Sequence, residues 1–326
     1  MHVAFVGSGS IGRRHANVVR ARWPGAALTV VRRGGAADAW SDSVGARVVP
    51  DLAAAIAADP DLAVVATPSA LHADALDALL AAGVACYVEK PAVTDRAQLD
   101  RVRSRLASLA SPPPTLSGCN LRFLPAARRL REAIAGGAIG RPVRASLQVG
   151  QWLPDWRPGT DYRHGYGASA ALGGGVVLDL VHELDAARWL FGEFDAAHAV
   201  GGHYSRLEIG TEDAAAIVLG RRGGPAVAVG LDYASRTPMR RWEVIGDEAS
   251  LEWDLIARRL VLRAPGGREE PLASGADFDV AATYPAAMAE LVEAIGGRRA
   301  ATPDLADGLA SAELAIRANE SLRAAP

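Results

Sequence analysis

The run His2-Val3-Ala4-Phe5-Val6-Gly7-Ser8-Gly9-Ser10-Ile11-Gly12 decides how the first third of the chain folds. A short apolar, β-rich stretch stops at a glycine, and an amphipathic helix over about residues 11–22 follows almost at once. In such a strand–turn–helix, Gly7 permits the tight turn, Gly9 lets a pyrophosphate approach the backbone and Gly12 lets helix pack on strand. Ser10 and Ile11 stand at the helix N-terminus, whose unpaired N–H groups and positive dipole end favour phosphate. A dinucleotide site is expected here; the competing reading is a glycine-rich turn that binds nothing.

Working outward, further strands read at 28–31, 62–66 and 84–88, with Arg47-Val48-Val49 as another candidate, and helices at 70–82 and 95–109. That alternation predicts a parallel sheet wound by helices on both faces. Pro112-Pro113-Pro114 breaks the rhythm, and the run Thr115 to Gly118 closes the first domain, 1–118; a second spans 119–326. There a helix over 124–135 leads to a strand over 142–152, an irregular segment, a helix over 175–191, several strands between 196 and 264, and helices over 283–296 and 304–323. Strands that follow one another without helices predict a mostly antiparallel sheet.

Composition excludes several function classes. A chain of 326 residues, half of them hydrophobic, exceeds the size at which one core stops growing. A formal charge of −2 with scattered arginines argues against a nucleic-acid partner. Cys86 and Cys119 match no zinc spacing and suit a reducing compartment, so no metal is expected. With no charged leader and no long apolar span, the expectation is a cytoplasmic protein with no membrane contact.

Several residues carry candidate chemistry. The second strand ends in Arg32-Arg33 where an NAD site normally shows Asp or Glu; two guanidiniums suit a ribose 2′-phosphate, so NADP is favoured over NAD, against a reading of both as surface charge. Lys90 is the only lysine among 35 basic side chains. Its amine can be tuned to move a proton, whereas guanidinium cannot. It sits in Glu89-Lys90-Pro91 at a strand end, and Pro91 biases it toward an extended backbone. Thr67-Pro68 ends the preceding strand on the same carboxyl edge, and His72 opens the next helix as a cap, a hydrogen-bonder or a catalyst. The segment from Gln151 to Arg163, with Trp152, Trp156 and Tyr162 among its arginines, reads as a sugar-binding loop or as a loop anchored in the core by its tryptophans.

Together these motifs resemble the Gfo/Idh/MocA family (glucose-fructose oxidoreductase, inositol dehydrogenase and rhizopine catabolism). The resemblance runs through Gly7 to Gly12, Ala66-Thr67-Pro68, Glu89-Lys90-Pro91, Gly118-Cys119-Asn120-Leu121-Arg122-Phe123 and Gly173-Gly174-Gly175-Val176-Val177-Leu178-Asp179. It implies an N-terminal Rossmann doubly wound sheet that holds the nicotinamide cofactor, and a C-terminal α+β domain whose large, open, mostly antiparallel sheet walls the substrate cleft and pairs subunits as a homodimer or homotetramer. It places Lys90, Asp179 and His182 at the reacting carbon, Asn120 and Arg122 near substrate, and Tyr162-Arg163 near the cofactor. Many members separate this Asp and His by four residues; here the spacing is three.

Asp179 and His182 would lie about 60° apart on one helix face, opposite the apolar stripe Leu180, Leu184, Ala187 and Phe191. The expected activity is hydride transfer between NADP (or NAD) and a hydroxyl or keto carbon of a sugar, sugar derivative or nucleotide sugar. His182 would accept the proton, Asp179 would orient it, and Lys90 would stabilise the developing alkoxide, with the roles of Lys90 and His182 exchangeable on sequence alone. A redox-neutral glycosidase that keeps NAD bound and a non-catalytic nucleotide sensor are the alternatives.

Overall fold

The computed structural model describes residues 1–324. Its first unit is built from β1 (His2–Val6), α1 (Ser10–Arg22), β2 (Ala27–Val31), α2 (Ala39–Ser43), β3 (Ala46–Val49), α3 (Leu52–Ile56), β4 (Leu62–Val65), α4 (His72–Ala81), β5 (Ala85–Val88), α5 (Arg96–Ser108) and β6 (Thr115–Ser117). The six strands form one parallel sheet in the order β3-β2-β1-β4-β5-β6. All residues of β4 and β5 are buried, as expected of strands covered on both faces. The strand order reverses between β1 and β4, the point where open α/β sheets bind ligands at their carboxyl ends. The candidate over Arg47–Val49 is realised as β3; the short α2 and α3 have no sequence counterpart above, being too brief to show a helical period.

The second unit contains α6 (Pro125–Ala135), β7 (Pro142–Gly150), α7 (Val176–Asp179), α8 (His182–Phe191), β8 (Ala196–Gly202), β9 (Ala214–Gly220), β10 (Ala226–Asp232), β11 (Met239–Gly246), β12 (Ser250–Asp254), β13 (Arg259–Arg263) and β14 (Glu269–Ser274). The eight strands order as β14-β13-β12-β11-β7-β10-β9-β8, antiparallel except for the parallel pair β7 and β10. One cross-strand row, Ala199, Ile217, Val229, Leu147, Trp242, Trp253, Leu260 and Ala273, is buried from edge to edge. Trp242 and Trp253 stack in it with ring centroids 4.2 Å apart. The helices α8 and α6 pack on this sheet. Opposite the row, Val200 and Val218 stay exposed on β8 and β9.

The chain then closes with α9 (Thr283–Ile295) and α10 (Leu305–Ala324). The helix α9 packs on α1, β5 and β6. The first unit is therefore Met1–Asn120 with Ala281–Ala312, and the second is Leu121–Val280 with the chain from Glu313 on. A single boundary at 118/119 misses this return, because an amphipathic helix carries no mark of which sheet it covers. Residues 325 and 326 lie outside the described part. Among the described residues no helix is long and apolar enough to cross a membrane.

A second difference touches the candidate site. The helix expected over 175–191 is two helices, α7 and α8, interrupted at Leu180 (φ −97°, ψ 29°) and Val181. Every residue from Val176 to Val181 is buried. The break thus falls inside a stretch that is buried throughout, and no glycine or proline marks it. The stripe Leu180, Leu184, Ala187 and Phe191 is buried as expected, but the helical pitch does not set the relation of Asp179 to His182.

Candidate functional site

In the first unit the fingerprint turn can be tested atom by atom. Gly7 has φ +108°, and a Cβ there would lie 2.6 Å from the Ala66 carbonyl oxygen. A Cβ on Gly12 would lie 2.2 Å from the Gly7 carbonyl oxygen. Gly9, by contrast, has nothing within 4 Å of that position. Two glycines are demanded by the chain itself, and the third leaves an open approach to backbone N–H groups at the start of α1, which is what a pyrophosphate requires. Nearby, the Thr67 hydroxyl is buried without a hydrogen-bond partner among the described residues. Both features fit a dinucleotide.

At the end of β2 the structure adds residues that sequence reading missed. Asp38 accepts from Arg13 at 2.9 Å and from Arg32 at 2.9 Å. Both arginines also reach Ser8 of the fingerprint turn, Arg13 at its carbonyl (3.0 Å) and Arg32 at its hydroxyl (3.5 Å). The backbone N–H of Ser41 holds the Asp38 carboxyl down to about 2, with Arg32 adding to the effect. Arg33 is exposed. The signal for Asp38 was its capping pattern with Ser41; Arg13 follows the last fingerprint glycine directly.

His72 and Glu89 are anchored rather than open. His72 is 1% exposed, with Nδ1 2.9 Å from the Pro91 carbonyl and Nε2 2.9 Å from the Thr67 carbonyl. Burial lowers its pKa against the opposing pull of those carbonyls. Glu89 accepts from Nε2 of the fully buried His15 at 2.7 Å. Burial works to raise the Glu89 pKa, but the His15 hydrogen bond and charge, with Lys90, lower it on balance. Lys90 itself is half-buried, and its bond to Pro91 is cis. Asn120 is buried and donates to the Thr283 hydroxyl at 2.8 Å.

The second unit holds a separate cluster. Asp179, 4% exposed, accepts from the hydroxyls of Tyr166 and, at 3.1 Å, Tyr233. It lines a cavity of about 330 Å³ with Trp156, Arg157, Tyr162, His164 and Tyr166. The glycine run makes this possible, since a Cβ on Gly174 would meet the Tyr166 carbonyl at 2.2 Å. Tyr166 and Tyr233 were not singled out from sequence; the aromatic density of the loop was a signal for the first, and nothing local marked the second. His182 opens α8 and is half-buried.

Three of the expected contact residues have partners within the protein. Arg122 is buried and donates through Nε and a terminal nitrogen to Asp185 at 2.9 and 2.7 Å, which braces α8 from within the fold. Arg163 is tied to Asp161 (2.7 Å) and Glu208 (3.0 Å). Trp152 lies under the Arg236 guanidinium, 3.6 Å from the ring centroid, and Trp156 lines the cavity. Glu183, fully buried, pairs with Arg240 at 2.7 Å. Both acids that follow His182 are thus engaged in ion pairs with arginine.

Comparison with known proteins agrees with this geometry. The family described as "Oxidoreductase family, NAD-binding Rossmann fold" matches residues 1–110, and the "GFO/IDH/MocA C-terminal domain" matches residues 127–252. An inositol 2-dehydrogenase of Rhizobium meliloti is 31% identical over 192 residues, 58% of this chain and 54% of that protein. Another, from Acidothermus cellulolyticus, is 27% identical over 99% of this chain and 93% of its own length. The fold is shared with the WlbA dehydrogenase from Bordetella pertussis, solved in complex with NADH and UDP-GlcNAcA: TM-score 0.85, 19% identity, 99% of this chain and 95% of that one. With both of its domains matched in order, the chain belongs to the Gfo/Idh/MocA family of NAD-binding oxidoreductases.

Proposed function

We propose that this oxidoreductase is an NAD(P)-dependent dehydrogenase or reductase acting on a CH–OH carbon of a sugar, sugar derivative or nucleotide sugar. The observation that carries the reading is the fingerprint turn, closed at Gly7 and Gly12 and open at Gly9, in a chain related to inositol 2-dehydrogenases. When bound, the nicotinamide supplies the redox chemistry by accepting or donating hydride. The protein's share is proton transfer and charge stabilisation at the substrate oxygen. His182 accepts the proton, Asp179 orients the group it serves, and Lys90 stabilises developing alkoxide charge; exchange of the His182 and Lys90 roles is the alternative assignment. The aromatic faces of Trp156, Tyr162 and Tyr166 suit a sugar ring.

NADP is favoured, because the guanidiniums of Arg13, Arg32 and Arg33 outnumber the one carboxylate of Asp38. Asp38 supports NAD as the second reading, since it shares both Arg13 and Arg32 with Ser8 of the fingerprint turn. The exposed Val200 and Val218 support self-association as a homodimer or homotetramer. Cys86 and Cys119, both buried and neither in a disulfide, suit a cytoplasmic setting.

The test is absorbance at the reduced-nicotinamide band, with NADP and NAD in parallel against sugars, polyols, sugar acids and nucleotide sugars in both directions. Net turnover that favours NADP, a preference lost in Arg32→Ala or Arg33→Ala, is expected. Lys90→Met should lower kcat by about 10²–10⁴ while the cofactor Kd stays within a few-fold. Tight nucleotide binding with no net redox change on any sugar would favour a redox-neutral glycosidase or a sensor.

A further inference from the structure

Two buried histidines grip the turn on either side of Lys90. His15 lies on α1 beyond the last fingerprint glycine; its ring is wedged against Tyr87 (centroids 4.6 Å apart) and Tyr284 (5.6 Å), and its Nε2 meets Glu89 at 2.7 Å. His72 sits between the Pro91 carbonyl, immediately after Lys90, and the Thr67 carbonyl beyond the end of β4, 2.9 Å from each, and its single N–H can donate to either. The residue before Lys90 and the residue after it are therefore each held by an imidazole from a different helix. Apolar side chains would pack α1 and α4 onto this sheet at lower cost, because burying Glu89 is unfavourable unless it is paired. Yet Glu89 is 8% exposed and His15 fully buried. A fold that retains such a pair beside its single lysine uses it to fix something.

We propose that His15 and His72 are positioning residues for Lys90: His15 keeps a carboxylate charge beside the ammonium, and His72 locks the main chain that follows it. The inference rests on the reading of Lys90 as the residue that acts on substrate. With His15 donating from Nε2, Glu89 remains anionic and favours the charged form of its neighbour.

Because Lys90 is the only lysine, reductive ¹³C-methylation of the full chain labels one side-chain amine besides the N-terminus, and a ¹H–¹³C spectrum reads it without any substrate. Removing the Glu89 charge or its donor should lower the Lys90 titration midpoint. His15→Leu is expected to shift it down by at least about half a pH unit, His15→Gln, which retains a donor, to restore it, and His72→Leu to displace or broaden the Lys90 signal. Folded His15→Leu and His72→Leu proteins with the parent signal and midpoint would overturn the proposal. If the leucine variants do not fold, Glu89→Gln carries the test, and an unmoved midpoint there overturns it equally. Active Lys90→Met enzyme would sink the catalytic reading instead, whatever the spectra show.

Discussion

The two clusters of candidate residues are held in opposite ways. Along the carboxyl edge of the parallel sheet the main chain does the holding: Gly7 and Gly12 are forced by backbone carbonyls, His72 sits 2.9 Å from two more, and Glu89 donates its own N–H to the Val65 carbonyl. In the second unit, side chains distant in sequence hold side chains: Tyr166 and Tyr233 on Asp179, Arg122 on Asp185, Arg240 on Glu183. A backbone-determined site leaves local sequence marks. A side-chain network leaves few, and it fails one partner at a time.

The largest expected effect breaks the second kind of cluster. Arg122→Leu removes the guanidinium that pairs with the buried Asp185 carboxylate and should cost about 3–5 kcal/mol of unfolding free energy. Denaturant titration measures it; a loss below about 1 kcal/mol would mean that Asp185 finds water or another donor. Next comes a contrast inside the fingerprint. Gly12→Ala drives a methyl into the Gly7 carbonyl and should cost about 1–3 kcal/mol, whereas Gly9→Ala meets nothing and should leave stability within about 0.5 kcal/mol. Gly9→Ala should nevertheless weaken dinucleotide binding about tenfold or more, read by cofactor fluorescence, because the methyl occupies the open approach. Equal effects of the two on stability would refute the division of labour among the glycines.

The smallest effect is a pH dependence. Burial depresses the His72 pKa in the folded chain. The unfolded chain therefore takes up a proton near pH 6.5 while the folded one still refuses it. Stability contributed by the neutral ring is complete above that pH and declines as pH falls toward the folded value. Urea midpoints at pH 7.5 and 5.5 should differ in the parent and differ less in His72→Asn. An unchanged difference would assign the slope to other groups.

How much was legible from sequence follows the same division. The βαβ rhythm, the fingerprint, the Glu89-Lys90-Pro91 strand end and the run of strands in the second unit were readable, because each rests on local periodicity or on a conformational demand at named residues. The split of the helix at Leu180 was not, since no glycine or proline marks it in the run Val176 to Val181. Nor was the recruitment of Asp38, which depends on two arginines converging from α1 and the end of β2.

Sequence by itself determined the parallel sheet, the glycine turn at its switch point and the singular lysine at a strand end, because spacing, steric room at Gly7 and Gly12, and amine chemistry are properties of short stretches. Tertiary structure alone decided that Arg122 pairs with Asp185, that Trp156 lines the cavity while Trp152 packs under Arg236, that Asp179 answers to Tyr166 and Tyr233, and that Ala281–Ala312 belongs with the first unit. Each of these depends on which distant side chain supplies the hydrogen bond or apolar face that a buried group requires, and that partner is chosen only when the chain has packed.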